Sequence, residues 1–150
     1  MQWIDNSMQT ARFTKRLLDA FEDAQTIGLD KNHNELSPWH ILYAFLRQDQ
    51  GILKVLTERV NGCINTLKRC LEERLADLPE VKNHYGEINI SQDLDRQLNL
   101  AGKQAMTQKD SHLSSETLLA VMSKDKTTRP IFRKAGIDED ALADAIQNLR

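Results

Sequence analysis

The sequence is poor in the residues that make turns, sheets and cross-links. Its 150 residues include 6 glycines, 3 prolines and 2 cysteines, and aromatic side chains make up 5%. So few turn-formers cannot punctuate a fold of many short strands, and helices are the expectation. Cys63 and Cys70 lie two turns apart along one helix face, with α-carbons about 10 Å apart, too far for a disulfide. They read as small residues packed near a helix core in a reducing, cytoplasmic compartment, without the spacing or co-ligands of a metal or redox pair. Long apolar runs are lacking too, so no membrane span is expected. The opening Met1 to Asp5 has neither the basic nor the apolar region of a secretory signal. No sign of charge dominates: 20 basic against 22 acidic residues leave a net −2. No basic stripe with interleaved aromatics appears, so nucleic acid is not an expected partner. G-x-x-x-x-G-K-[ST] is absent, so no nucleotide cofactor site is expected in this chain. His33, His40, His84 and His112 are scattered, and Ser37 beside His40 is better explained as a helix cap than as a nucleophile. Neither catalytic nor metal-binding residues are expected.

What is present is a run of amphipathic helical patterns. Thr14 is a good N-cap, flanked by Phe13 and Leu18 in a hydrophobic-staple arrangement. Leu17, Ala20, Phe21, Ala24 and Gly28 then share one face, and the helix is expected to end near Leu29. Ser37 and Pro38 open a second helix with Ile41, Leu42, Phe45 and Leu46 inward. A short helix follows Gly51, and a fourth carries Ile64, Leu67, Leu71 and Leu75. Residues 77–89 read as a linker, with Pro79, Gly86 and Asn89 as breakers. The pattern then restarts: Ser91 caps a helix with Leu94, Leu98, Ala101, Ala105 and Met106 inward, and Ser114 caps one with Leu118, Leu119 and Met122. A short helix is expected around Ile131 and Phe132, and Asp138 caps a last one with Leu142, Ile146 and Leu149 inward.

The restart is a repeat. Shifted by 77, residues 13–48 fall over 90–125 without a gap, with identities at Leu17/Leu94, Ala24/Ala101, Leu36/Leu113, Ser37/Ser114 and Leu42/Leu119. Caps align over caps and core over core, which carries more weight than the identities. The expected architecture is therefore all-α: about eight helices in two pseudo-twofold-related four-helix repeats, roughly 13–76 and 90–150, after an N-terminal extension of residues 1–11. Each unit alone would expose an apolar face, and the seam between them is a natural groove.

These segments resemble the Clp N-terminal repeat at the front of Clp-family ATPases. The matching pieces are Phe13-Thr14, Asp23-Ala24-Gln25 and Ser37 to Leu42 in the first unit. In the second they are Ser91 to Leu94, Arg96, Leu98 to Leu100 and Ser114 to Glu116. Leu78 to Val81 followed by Gly86 looks like the ClpB subgroup of protein disaggregases. The sequence departs from the family pattern at Lys109-Asp110 and in the first unit's Arg59 to Gly62, whereas Ala135-Gly136-Ile137 keeps the family's Ala-Gly-Ile in the second. The resemblance implies a stress-response chaperone module that captures unfolded or aggregated clients through an apolar groove. It also implies hexameric ATPase modules beyond Arg150 that would use ATP and magnesium, and a DnaK-type chaperone as co-worker. It gives Thr14, Asp110 and Glu116 as polar groove residues, with Leu94, Leu98 and Leu113 as candidate floor. Partner recognition of the ClpV kind and a stand-alone Clp adaptor are the alternatives.

Overall fold

Hydrophobic positions spaced three and four apart, each run preceded by a hydroxyl-bearing cap, set the first helix. In a computed structural model, which describes residues 12–82, 86 and 88–149, α1 spans Lys15–Asp30. The Thr14 hydroxyl accepts from the Leu17 amide at 3.3 Å, as the N-cap expectation requires. The helices that follow are α2 (Pro38–Arg47), α3 (Ile52–Arg59), α4 (Ile64–Ala76), α5 (Gln92–Thr107), α6 (Ser115–Lys124), α7 (Arg129–Lys134) and α8 (Glu139–Leu149). Two short strands, β1 (Glu35–Leu36) and β2 (Asn89–Ile90), pair in parallel. The extension 1–11 and linker residues 83–85 and 87 lie outside the described residues. No helix among the described residues is long and apolar enough to cross a membrane.

The repeat is written into the backbone. Helices α5 and α6 begin and end 77 residues after α1 and α2. Ser91 caps α5 through the Leu94 amide at 3.2 Å, as Thr14 caps α1. After the long helix of each unit the chain reverses through a left-handed residue, Asn32 (φ 60°) in one and Lys109 (φ 61°) in the other. The next amide closes the turn at 2.9 Å in both: His33 to the Gly28 carbonyl, and Asp110 to the Ala105 carbonyl. Helix α7 is two residues shorter than α3, so the shift falls to 75 beyond it. Thus Gly62 donates to Thr57 (2.8 Å) where Ile137 donates to Phe132 (2.9 Å). Left-handed Asn61 stands where the second repeat has left-handed Gly136. Asn tolerates that conformation best after Gly, which accounts for the altered Ala-Gly-Ile of the first unit.

The two units exchange strands about the pseudo-twofold. Leu36 pairs with Ile90, and Phe13 forms the mirrored bridge with Leu113. Ser91 donates to the Leu36 carbonyl and Thr14 to the Leu113 carbonyl, both at 2.9 Å. On the far side α3 packs on α8 and α4 on α7. A Cβ on Gly62 would meet Ile137 at 2.8 Å, so the two helix–helix corners touch. One continuous core runs through both units, including Leu17, Phe21, Leu42, Phe45, Leu94, Leu98, Leu119 and Phe132, all 2% exposed or less.

Three inward assignments do not hold. Met106 is 76% exposed, because it lies one residue, or about 100° of helix, beyond the buried Ala105. Leu149, the last residue of α8, is 37% exposed. Cys63 is not packed beside Cys70: it is the exposed N-cap of α4, and Cys70 alone is buried.

Candidate functional site

Helix α5 carries two neighbouring stripes. Leu94, Leu98, Ala101 and Ala105, spaced four, three and four apart, are buried in the core. The adjacent stripe of Asn99, Gly102, Lys103 and Met106 faces an open cleft of about 570 Å³. The opposite wall is the segment that turns back after Lys109, Asp110 to Leu113, and Arg12 of the first repeat closes one end. The β-bridge fixes that end: the Leu113 amide donates to the Arg12 carbonyl at 2.7 Å, and the Thr14 amide donates to the Leu113 carbonyl. The cleft therefore sits at the seam between the units. Its apolar surface comes from Ala105, Met106 and Leu113, and its rim carries Arg12, Lys103, Asp110 and His112, the last 2.9 Å from the Ser111 hydroxyl.

The sequence-derived site residues do not all meet here. Asp110 and Leu113 line the cleft. Leu113 is only 3% exposed, so it underlies the cleft more than it offers surface. Leu94 and Leu98, expected on the floor, are 0% and 1% exposed and belong to the core stripe, which is a correction to the sequence reading. Thr14 adjoins the cleft through its backbone, while its hydroxyl is committed to capping α1. Glu116 is half-buried in the first turn of α6, where the helix dipole favours a carboxylate, and is not among the cleft-lining residues. Arg12, Lys103 and above all Met106 were missed. Their signal was the completeness of the core stripe without Met106, which leaves that methionine on the next face.

The same position in the first repeat is built differently. His33 and His40 are 3% and 0% exposed, with His33 Nδ1 2.8 Å from His40 Nε2. The Ser37 amide donates to His40 Nδ1 at 3.0 Å, so neutral His40 carries its proton on Nε2 and directs it at His33. Burial, with neighbouring His33 and Lys31, pushes His40 down to about 4, and burial and Lys31 also lower His33. The pair is a neutral core element.

Behind the cleft, α5 is tied to the end of α6. Arg96 grips Asp125 with two hydrogen bonds, 3.0 and 2.7 Å, and Asp93 with one of 2.8 Å. Gln97 adds a 3.0 Å bond to Asp125. Burial works to raise the Asp125 pKa, but Arg96, the Thr127 amide and Gln97 hold it below the ordinary carboxylate range. This network holds α5 while its outer stripe stays open.

The sequence signature of the Clp repeat (R) N-terminal domain matches residues 12–129. The chain is 38% identical over 144 residues to the chaperone protein ClpB of Pseudomonas putida, an alignment covering 95% of this chain and 17% of that protein. It therefore spans about a sixth of the length of that relative. Among solved structures, the Hsp104 N-terminal domain from Candida albicans superposes with a TM-score of 0.82 at 25% identity, covering 92% of this chain and 91% of that one. The N-terminal domain of the ClpV1 ATPase from E. coli shares the fold, with a TM-score of 0.77 at 22% identity over 89% of this chain and 83% of that one. The structure holds two strand-exchanged four-helix units, and the signature runs through the first and into the second as far as the start of α7, so this chain belongs to the Clp repeat N-terminal domain family.

Proposed function

We propose that this domain is the client-binding front end of a ClpB-type chaperone and takes up unfolded, apolar polypeptide in the cleft beside α5. The observation that carries the reading is Met106, 76% exposed in a concave site between Lys103 and Leu113. A flexible thioether adapts to varied side chains, which suits a site of broad tolerance. Burial of apolar surface at about 25 cal/mol per Å² drives capture, and the ordering of the client keeps it weak. Asp110, Lys103 and Arg12 select against clients of a single strong charge. In this reading, ATP hydrolysis, magnesium binding, hexamer assembly and any hand-over from a DnaK-type chaperone belong to modules outside these residues.

The test is fluorescence anisotropy with a labelled unfolded peptide rich in leucine and valine. Met106→Ser should weaken binding about tenfold, the loss of one well-buried apolar side chain. Leu149→Ser, which removes an exposed apolar side chain elsewhere, should leave it unchanged. Equal binding by both variants refutes the cleft assignment. A second reading is dedicated recognition of one helical partner, favoured by the ClpV N-domain that shares this fold and was solved with a VipB peptide. A single tight helical ligand, with no binding of unfolded chains, would establish it.

A further inference from the structure

The cleft has a counterpart in the first repeat, and that counterpart is covered. The 77-residue relation carries Ala105, Met106 and Leu113 onto Gly28, Leu29 and Leu36. There the linker residue Ile88, 7% exposed, packs so tightly on Gly28 that a Cβ on the glycine would lie 2.6 Å from its Cδ1. The Val81 amide donates to the Asn32 carbonyl at 2.7 Å. Leu29 is partly buried against the core, whereas its equivalent Met106 is exposed. The charges differ as well. Asn89 takes the place of Arg12, and Thr26 the place of Lys103. The covered copy is thus neutral at both positions and the open copy cationic at both, so the fold itself does not require the charges.

Neither cation is occupied by the chain. Arg12 serves the fold through its carbonyl, which accepts from the Leu113 amide. Among the described residues, no ion pair involves its guanidinium or the Lys103 ammonium, and both residues are exposed. Asp110, the carboxylate among the described lining residues, is not free. The unpaired charge of the cleft is therefore positive, although the whole chain carries a net −2. We infer that the cleft prefers apolar client segments that carry acidic side chains, and that Arg12 and Lys103 read them. A concave, partly apolar site focuses the field of its cations. The guanidinium accepts a carboxylate through two parallel N–H donors, and the ammonium acts as a point charge. Each partly exposed pair strengthens binding by up to about fivefold. Lys103 lies on α5 and Arg12 on the segment that bridges to Leu113, so one client segment can offer an acidic side chain to each, which a single chain terminus cannot. Lysine-rich segments meet repulsion instead. The inference rests on the client-binding reading above and narrows it: Met106 supplies affinity, and the two cations supply choice.

The experiment is fluorescence anisotropy on the chain Met1–Arg150 with leucine-rich peptides blocked at both termini, whose end residues are Glu, Gln or Lys. The Glu peptide should bind about fivefold tighter than the Gln peptide, and the Lys peptide more weakly than either. Raising the salt from about 0.05 to about 0.5 M should bring the three together. Arg12→Gln with Lys103→Gln should reduce the Glu-to-Gln ratio to about one. Lys103→Glu should turn the preference toward the Lys peptide, and guards against a double variant that fails to fold. Equal binding of the three peptides, with Met106→Ser still weakening them, overturns the carboxylate preference and leaves client binding in place. A preference that survives in both variants, or one shown only by a Gln peptide with a free C-terminal carboxylate, also overturns it. Binding of none of the peptides overturns this inference and the client-binding reading together.

Discussion

Gly28 faces Ile88 so closely that a Cβ on the glycine would lie 2.6 Å from the isoleucine Cδ1. This contact is where the linker seals the first repeat, and it couples the two positions. Ile88→Ala should cost about 2–4 kcal/mol by emptying a buried site. In a Gly28→Ala background the cost should fall by at least about 1 kcal/mol, because the new methyl occupies the vacated space. Urea unfolding of the four proteins measures that coupling; additive costs would mean that the linker does not bear on α1.

His40 makes the stability depend on pH. Its pKa in the fold is pushed down to about 4 from an ordinary 6.5. The unfolded chain therefore binds the proton first. The contribution is complete above pH 6.5 and is lost as the pH falls toward 4, by roughly 3 kcal/mol. His33 is lowered in the same direction and adds to the loss. Lys31 opposes protonation of both rings, and Glu80 favours it at His33. His40→Gln should flatten the slope of stability between pH 6.5 and 4 relative to the parent. An unchanged slope would show that the ring is not held neutral.

Asp125 joins α5 to the end of α6. Its side chain is 6% exposed, and it is the shared acceptor of Arg96 and Gln97. Asp125→Ala should destabilise the chain by about 2–4 kcal/mol, since the buried Gln97 amide keeps only its 3.3 Å bond to Thr128 and the Arg96 guanidinium loses its bidentate carboxylate and keeps Asp93. Raising the salt concentration should recover little of this, in contrast to the exposed pair Lys15–Asp19.

The two cysteines should separate cleanly in a thiol assay. Cys63 caps α4, and hydrogen bonds from the Thr66 hydroxyl and amide lower its pKa. One thiol should react fast in the native chain, and Cys70, which is buried, only on unfolding. Thr66→Val should slow the fast phase severalfold; two equal rates would contradict the assignment.

Much of the architecture was legible because caps and periodicity are local. Thr14, Ser91, Ser114 and Asp138 all stand at the helix starts that their side chains announced. The 77-residue register exposed the twofold before any geometry was known. The cleft was harder to read. Whether Leu98 or Met106 faces it depends on which of two adjacent stripes of α5 meets the core, and that is settled by α6 and the Phe13–Leu113 bridge. Arg12 reaches the cleft only because the strands exchange across the seam, a contact between residues 101 positions apart that no local pattern encodes.

The most direct test is amide chemical-shift mapping of the chain during titration with an unfolded, leucine-rich peptide. Perturbations should cluster at Lys103, Met106, Asp110 and Leu113, and spare the linker-covered counterpart around Leu29 and His33. Shifts centred on that counterpart, or spread without a focus over both repeats, would contradict the claim that an open seam cleft is what this domain offers to its clients.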